Sequence, residues 1–380
     1  MKKILIYSTA YFPFVGGAEV AMKEITDRVE SYEFHMVTAL MDRTLPRKEK
    51  VGNVMVYRVG IGHPMADKLM LALRGHKKGL QLHKKLQFSA VWSLMASYNG
   101  FAAQTFAKKT GIPHLLTLQE GDPIEYILHK VRFVRSWFNK IFTEATALTA
   151  LSTYLLNWGL DMGFKGTLKE IVPNGADVAR FTKIHPADEI RAIRDSFGFA
   201  PGAFVVMTAS RLVVKNAVED VIRALPFLPE HVCFAVCGSG ELLSHLEGVV
   251  EELGLEQRVN FLGNKSHEEL PKIMQASDCS IRPSITEGLG CSFLESMAAG
   301  LPTIGTMVGG IPDFLEDGVT GFACEVQNPK SIADTIMRVM DLSELEKKTI
   351  QRNAMAVIND RYNWTYIVKR MNHFFKEICA

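Results

Sequence analysis

Two glutamates eight residues apart, Glu287 and Glu295, enclose the stretch Gly288-Leu289-Gly290-Cys291-Ser292-Phe293-Leu294. A helix is predicted from about Cys291 to Ala299, so that Gly288 and Gly290 would expose backbone N–H groups at its start and Glu295 would lie in its second turn. Amide donors flanked by two carboxylates suit neighbouring sugar hydroxyls, which both donate and accept hydrogen bonds. Carbohydrate is the natural ligand of such a constellation. The acid/base pair of a glycoside hydrolase is the competing use, but it would leave the cations described next without a purpose.

Those cations are Arg211 and Lys215, in Ser210-Arg211-Leu212-Val213-Val214-Lys215. They follow the apolar run Phe204 to Ala209, which reads as a buried strand. A guanidinium fork and an ammonium point charge four residues apart at a strand's carboxyl end suit a diphosphate. The plainer alternative is a solvated pair leading into a helix expected from Asn216 to Leu225. Cys237-Gly238-Ser239-Gly240-Glu241 supplies another glycine-rich strand-to-helix turn, weak by itself. Gly16-Gly17-Ala18-Glu19 directly follows the first apolar run and opens a helix, whose unpaired N–H groups and dipole favour an anion. A tight turn needing positive φ is the alternative there. The motif is not GxGxxG, and Thr38 and Ala39 stand where an acidic residue would end the second strand; both count against a nicotinamide dehydrogenase.

Positioning these groups falls to short apolar runs that alternate with longer amphipathic ones, the pattern of strands covered by helices on both faces. The fold class is α/β and doubly wound. Strands are predicted at Lys3 to Ser8, Phe34 to Ala39, Val54 to Val59, Ala90 to Leu94, His114 to Leu118 and Ala147 to Leu151. After the turn Val172-Pro173-Asn174-Gly175 the rhythm restarts, with strands at Phe204 to Ala209, Val232 to Cys237, Val259 to Leu262, Cys279 to Arg282 and Pro302 to Gly305. Two Rossmann-like domains result, residues 1–172 and 173–363, with a C-terminal helix, 364–380, expected to pack back on the first. Ligands of open α/β sheets sit outside the carboxyl ends of the strands, so a substrate pair is expected in a cleft between the domains.

Composition narrows the classes further. Of 380 residues 47% are hydrophobic and 22% charged, which excludes a fibrous or disordered chain. The net charge of +2 conceals an asymmetry: residues 1–145 hold 21 Lys and Arg against 12 Asp and Glu, the remainder 22 against 29. A whole-surface nucleic-acid binder would not carry an acidic second half, so no nucleic-acid partner is expected. The six cysteines contain no CxxC pair and read as reduced, packed thiols. The start, MKKILIYSTAYFPF, meets Pro13 and Gly16-Gly17 without a small-residue cleavage site, and reads as a first strand instead of a signal peptide. Residues 86–107 are uncharged but rich in Gln, Ser, Asn and Thr, which makes membrane insertion costly. A cytoplasmic protein is expected.

The sequence resembles a family 4 retaining glycosyltransferase of the GT-B fold over nearly its whole length. The resemblance is carried by GGAE at Gly16 to Glu19, PNGAD at Pro173 to Asp177, SRLVVKN at Ser210 to Asn216, the pair Glu287 and Glu295, and GLP, GGIPD and DGVTGF between Gly300 and Phe322. It implies transfer of a sugar from a nucleotide-sugar donor, of the GDP-mannose, UDP-glucose or UDP-N-acetylglucosamine type, to a glycan or lipid-linked acceptor, with no cofactor and no required metal. Carried over position by position, Arg211 and Lys215 would hold the donor diphosphate and stabilise the departing charge. Gly16 and Gly17 would bring a helix terminus to the phosphates. Glu287, with the amides of Gly288, Leu289 and Gly290, would hold the donor sugar, Glu295 the ribose, and Gly238, Gly263 and Asn264 would line the nucleotide site. With no strong side-chain nucleophile, a front-face transfer is expected, a donor phosphate oxygen taking the acceptor proton.

One departure from the family pattern concerns a TxH sequence after the fifth strand. Here Thr117-Leu118 is followed by Gln119, then Glu120-Gly121-Asp122, and glutamine cannot become cationic. Gln119, Glu120, Asp122 and Asn174 are candidates for the acceptor or sugar pocket, Asp122 equally for a helix N-cap before Pro123. The basic first domain interleaves Lys68, Arg74, Lys77, Lys130, Arg132 and Arg135 with apolar residues. Such stretches would lie on an anionic membrane at its inner face, or be core-facing helices with solvated backs. A catalytically silent nucleotide-sugar binding module and a sugar-nucleotide epimerase on the same fold are the alternative functions.

Overall fold

The β-branched apolar runs form two parallel sheets in the computed structural model, which describes residues 1–14 and 16–380. The chain divides into one unit of Met1–Asn174 with Trp364–Ala380 and a second of Gly175–Asn363. In the first, β1 (Lys2–Tyr7), β2 (Tyr32–Ala39), β3 (Lys48–Val51), β4 (Val54–Val59), β5 (Ala90–Leu94), β6 (His114–Leu118), β7 (Ala147–Ala150) and β8 (Leu168–Ile171) lie in the order β3-β4-β2-β1-β5-β6-β7-β8. Only β3 runs antiparallel, against β4. In the second, β9 (Phe204–Ala209), β10 (Val232–Cys237), β11 (Val259–Gly263), β12 (Cys279–Arg282), β13 (Thr303–Thr306) and β14 (Phe322–Cys324) lie parallel in the order β11-β10-β9-β12-β13-β14. The α/β, doubly wound expectation holds.

Three strands went unread in the sequence: β3, β8 and β14. The first two are edge strands of sequence KEKV and LKEI with no buried residue, and β14 has only three residues. An edge strand lacks the continuous apolar run that burial on both faces demands, and its charges discourage pairing with other chains.

Both sheets reverse their winding at one strand pair, β1/β5 in the first unit and β9/β12 in the second. The loops leave in opposite directions there, which opens a crevice at the carboxyl edge. Asn99, fully buried, staples the first of these points. Its amide nitrogen donates to Tyr7 O at 2.9 Å and Leu94 O at 2.6 Å, the last residues of β1 and β5, and its oxygen accepts from Thr9 at 2.9 Å.

The C-terminal helix Trp364–Ile378 buries Trp364, Ile367, Met371, Phe374, Phe375 and Ile378 in the first unit's core, with Ile4, Ile6, Met22 and Phe34. The ring of Phe375 lies 5.2 Å from that of Trp92, 5.6 Å from Tyr32 and 5.8 Å from Phe34. Arg370 pairs with Glu170, and Lys2 Nζ donates to Cys379 O. All six cysteines are free, and no helix among the described residues is long and apolar enough to cross a membrane. Phe375→Ala is expected to destabilise the protein by about 3–5 kcal/mol, whereas Tyr366→Ala, on the outward face, should cost less than about 1 kcal/mol. Denaturant unfolding measures both.

Candidate functional site

In the second unit the expected diphosphate cations stand on the loop after β9. Arg211 is exposed, and Lys215 occupies a 3₁₀ turn, Val214–Asn216. The continuous helix expected from Asn216 does not form: Ala217 takes a left-handed φ of 51°, and the helix runs only from Val218 to Ala224. This break lets the buried Asn216 turn back, its Nδ2 donating to Arg211 O at 2.7 Å. Ile285 N donates to Lys215 O at 2.8 Å, tying the loop to the one after β12.

That second loop holds the first glutamate. Glu287 is buried, and its carboxylate pairs with the guanidinium of Arg282, the last residue of β12. Arg282 also donates to Asn216 Oδ1 at 3.0 Å and to Ser292 Oγ at 3.1 Å. Glu287 Oε1 accepts from Gly288 N at 3.0 Å and, more weakly, from Leu289 N at 3.5 Å. In this structure these two amides are turned to the Glu287 carboxylate. Gly290, φ 89°, starts the helix Cys291–Ala298, and a Cβ there would lie 2.6 Å from the Phe293 ring.

Glu295, on this helix, has its carboxyl pushed up to about 7 by burial, with the charge of Arg180 acting in the opposite direction. His267 Nδ1 lies 3.9 Å from its Oε1. On the same carboxyl edge, Gly238 N donates to Gly263 O at 2.8 Å and Ser239 Oγ to Asn264 Oδ1 at 2.9 Å. A Cβ on Gly238 would lie 1.9 Å from Ser210 O, so this glycine is required by packing between the loops after β9 and β10.

In the first unit Gly16 caps the helix Gly17–Arg28 with extended backbone, and its N–H donates to Glu19 Oε2 at 2.8 Å. Neither glycine has positive φ, and a Cβ on Gly17 would meet nothing within 4 Å, so no tight turn demands glycine at Gly17. Gln119 Oε1 is buried without a hydrogen-bond partner among the described residues. The adjacent Glu120 is buried, accepts from Ala96 N at 2.5 Å and Gln119 N at 2.9 Å, and is pushed up to about 7 by burial. It thus joins the loops after β5 and β6. Asp122 is exposed, and the N-cap of the helix Ile124–Lys130 is Pro123, which corrects the capping alternative. Asn174 is buried at the last position of its segment of this unit.

The structure therefore joins Arg211, Lys215 and Glu287 through two loops at the β9/β12 reversal. Glu295, Gly238, Gly263 and Asn264 follow neighbouring strands on the same edge, and Gly16, Gly17, Gln119 and Glu120 belong to the other unit. Sequence reasoning missed Arg282 and Asn216; a guanidinium closing an otherwise buried strand was the available signal. Among the described residues no three His, Cys, Asp or Glu side chains gather as a metal site.

Residues 189–355 match the family model for glycosyl transferases group 1. An uncharacterised glycosyltransferase of Methanocaldococcus jannaschii is 26% identical over 387 residues, covering 99% of this chain and 98% of the relative. The GDP-mannose-dependent monoacylated alpha-(1-6)-phosphatidylinositol monomannoside mannosyltransferase of Corynebacterium glutamicum is 24% identical, covering 99% and 98%. The crystal structure of Anabaena HepE in complex with UDP and glucose superposes with a TM-score of 0.80 at 20% identity, covering 99% of this chain and 100% of that one.

A carboxyl raised in the folded chain retains a proton that the unfolded chain has released, so it contributes a fall in stability as pH rises from the unfolded value towards 7. Between pH 5 and 8 Glu295→Gln is expected to shift the slope of Tm against pH upwards relative to wild type, because it removes the share of the fall that the raised carboxyl contributes. A slope equal to wild type would show that Glu295 ionises as freely folded as unfolded.

Proposed function

We propose that the chain is a group 1 glycosyltransferase that moves a hexose from a nucleotide-diphosphate sugar to a glycan or lipid-linked acceptor hydroxyl with retained anomeric configuration, a reading supported by the family match and the GT-B fold. The observation that carries this reading is the link between the Arg211/Lys215 loop and Glu287 at the β9/β12 reversal. Two cations on one loop suit a diphosphate, and the buried carboxylate on the next suits the hydroxyls of the sugar attached to it.

As the glycosidic bond lengthens, negative charge grows on the leaving diphosphate, and Arg211 and Lys215 would stabilise it where it develops. The anomeric carbon becomes cationic, and a phosphate oxygen on the same face accepts the acceptor's proton, so that the new bond forms on the side the old one leaves. Glu287 would fix the sugar through its hydroxyls and Glu295 would take those of the ribose, with Gly263 and Asn264 beside the base. This scheme needs neither a metal nor a cofactor.

The Corynebacterium relative and the HepE structure differ in nucleotide, GDP-mannose for the first and UDP with glucose in the second. A thermal-shift panel of nucleoside diphosphates distinguishes them, because a ligand binding only the folded state raises stability by RT ln(1+[L]/Kd). Lys215→Ala is expected to lower donor turnover at least about a hundredfold, in line with loss of one preorganised transition-state contact. Equal nucleoside diphosphate release by wild type and Lys215→Ala, across all donors, would refute the assignment.

A lipid-linked acceptor is favoured by the first unit's surface, and its enzyme would act at the inner face of a membrane. Leu71 and Leu82 of the helix Pro64–Leu86 are core residues, as are Phe138 and Ile141. Met65, Leu69 and Leu73, four residues apart on that helix, are exposed, and so are Tyr126, Val134 and Phe133, the last at 85%. Lys130 lies 4.1 Å from the Tyr126 ring and Arg132 lies 4.3 Å from that of Phe133. Apolar side chains fringed by cations match anionic headgroups over an acyl boundary. The Corynebacterium relative is likewise named for a phosphatidylinositol acceptor. Sedimentation with phosphatidylglycerol vesicles is expected to show salt-sensitive binding, weakened about tenfold or more in Phe133→Ser/Leu73→Ser. Equal binding to phosphatidylcholine vesicles, or no change in the variant, would contradict it.

A further inference from the structure

Arg282 has no assigned part in the transfer, yet its guanidinium meets three segments at once. It pairs with Glu287, donates to Asn216 Oδ1 at 3.0 Å and to Ser292 Oγ at 3.1 Å, and lies over the Phe293 ring at 5.7 Å. Its side chain is 14% exposed and that of Glu287 10%. A charge so far out of water is costly unless its partners are well placed, and removing one member leaves the other buried and unpaired.

The partners are the residues that hold the two binding loops. Asn216 passes the connection to Arg211 O at 2.7 Å, and the Ile285–Lys215 backbone bond closes it from the other side. Glu287 Oε1 is already turned to Gly288 N, so Arg282 on Oε2 completes the orientation of the carboxylate. Only a planar fork can reach a carboxylate, an amide oxygen and a hydroxyl together; a lysine in its place supplies one point charge.

We propose that Arg282 is a positioning residue that fixes the Glu287 carboxylate for the donor sugar and sets the Arg211/Lys215 loop in register with it. The inference rests on the transfer reading above. It assigns to one side chain the coupling between the sugar half and the diphosphate half of the donor site.

The test compares wild type, Arg282→Met and Arg282→Lys in donor turnover and, by calorimetry, in nucleoside diphosphate affinity. Arg282→Met is expected to lose at least about thirtyfold in kcat/KM while nucleoside diphosphate affinity changes less than about threefold, because the cations that meet the phosphates remain. Arg282→Lys should recover less than a tenth of the lost activity. In a Glu287→Gln background, Arg282→Lys should cost less than about threefold, since the larger part of its effect acts through the missing carboxylate and only the loop contact through Asn216 remains to be lost. If Arg282→Met does not fold, Arg282→Lys and the Glu287→Gln cycle carry the test. Full activity in Arg282→Lys, equal losses of turnover and nucleotide affinity, or an undiminished effect in the Glu287→Gln background would each overturn the inference. A wild-type protein that neither binds a nucleoside diphosphate nor turns over any donor would overturn the transfer reading, and this inference with it.

Discussion

A parallel sheet sends every strand's carboxyl end to one edge, and the reversal of winding at a single strand pair decides where that edge can open. Both units obey this constraint, at β1/β5 and β9/β12. The candidate residues of the second unit lie at or after the carboxyl ends of β9, β10, β11 and β12 on this edge. Strand interiors can be nearly uniform in Val, Ile and Phe because they only build the platform; the loops carry the polar groups and tolerate their variety.

Loops need holding, and here buried polar side chains do it. Asn99 binds the ends of β1 and β5, Glu120 the loops after β5 and β6, and Asn216 with Arg282 the loops after β9 and β12. Asp67, with 0% exposure, accepts from Met41, Ile61 and Gly62 amides and fixes the approach to the helix Pro64–Leu86. Each such bond adds only about 0.5–1.5 kcal/mol net, but leaving the buried group unpaired would cost as much or more, so the network penalises alternative loop conformations. That penalty is what makes a loop precise enough for recognition.

Charge placement follows the same logic. Glu287 is buried beside a cation. Burial pushes Glu120 and Glu295 up to about 7, Glu120 although it accepts two backbone N–H bonds and Glu295 with His267 Nδ1 3.9 Å away. Gln119 Oε1 is buried without a hydrogen-bond partner among the described residues.

The amino-acid sequence by itself determined the periods and the punctuation. Apolar runs such as Phe204 to Ala209 are strands because only burial on both faces suits them, and Gly290 ahead of Cys291 starts a helix because a left-handed φ is accessible there. The α/β class and the position of Arg211, Lys215, Glu287 and Glu295 in loops and helix starts follow from these local rules. The polar edge strands β3 and β8 escaped them, since an edge needs no continuous apolar run. Tertiary structure alone decided the partners. Arg282 and Asn216 are 66 residues apart and meet only because β12 lies beside β9. The left-handed Ala217 that frees Asn216, the turning of the Gly288 amide to Glu287, and the outward Leu73 beside the inward Leu71 depend likewise on what each segment packs against. Period and turn chemistry are properties of a few consecutive residues, while a hydrogen-bond partner is a property of the sheet order.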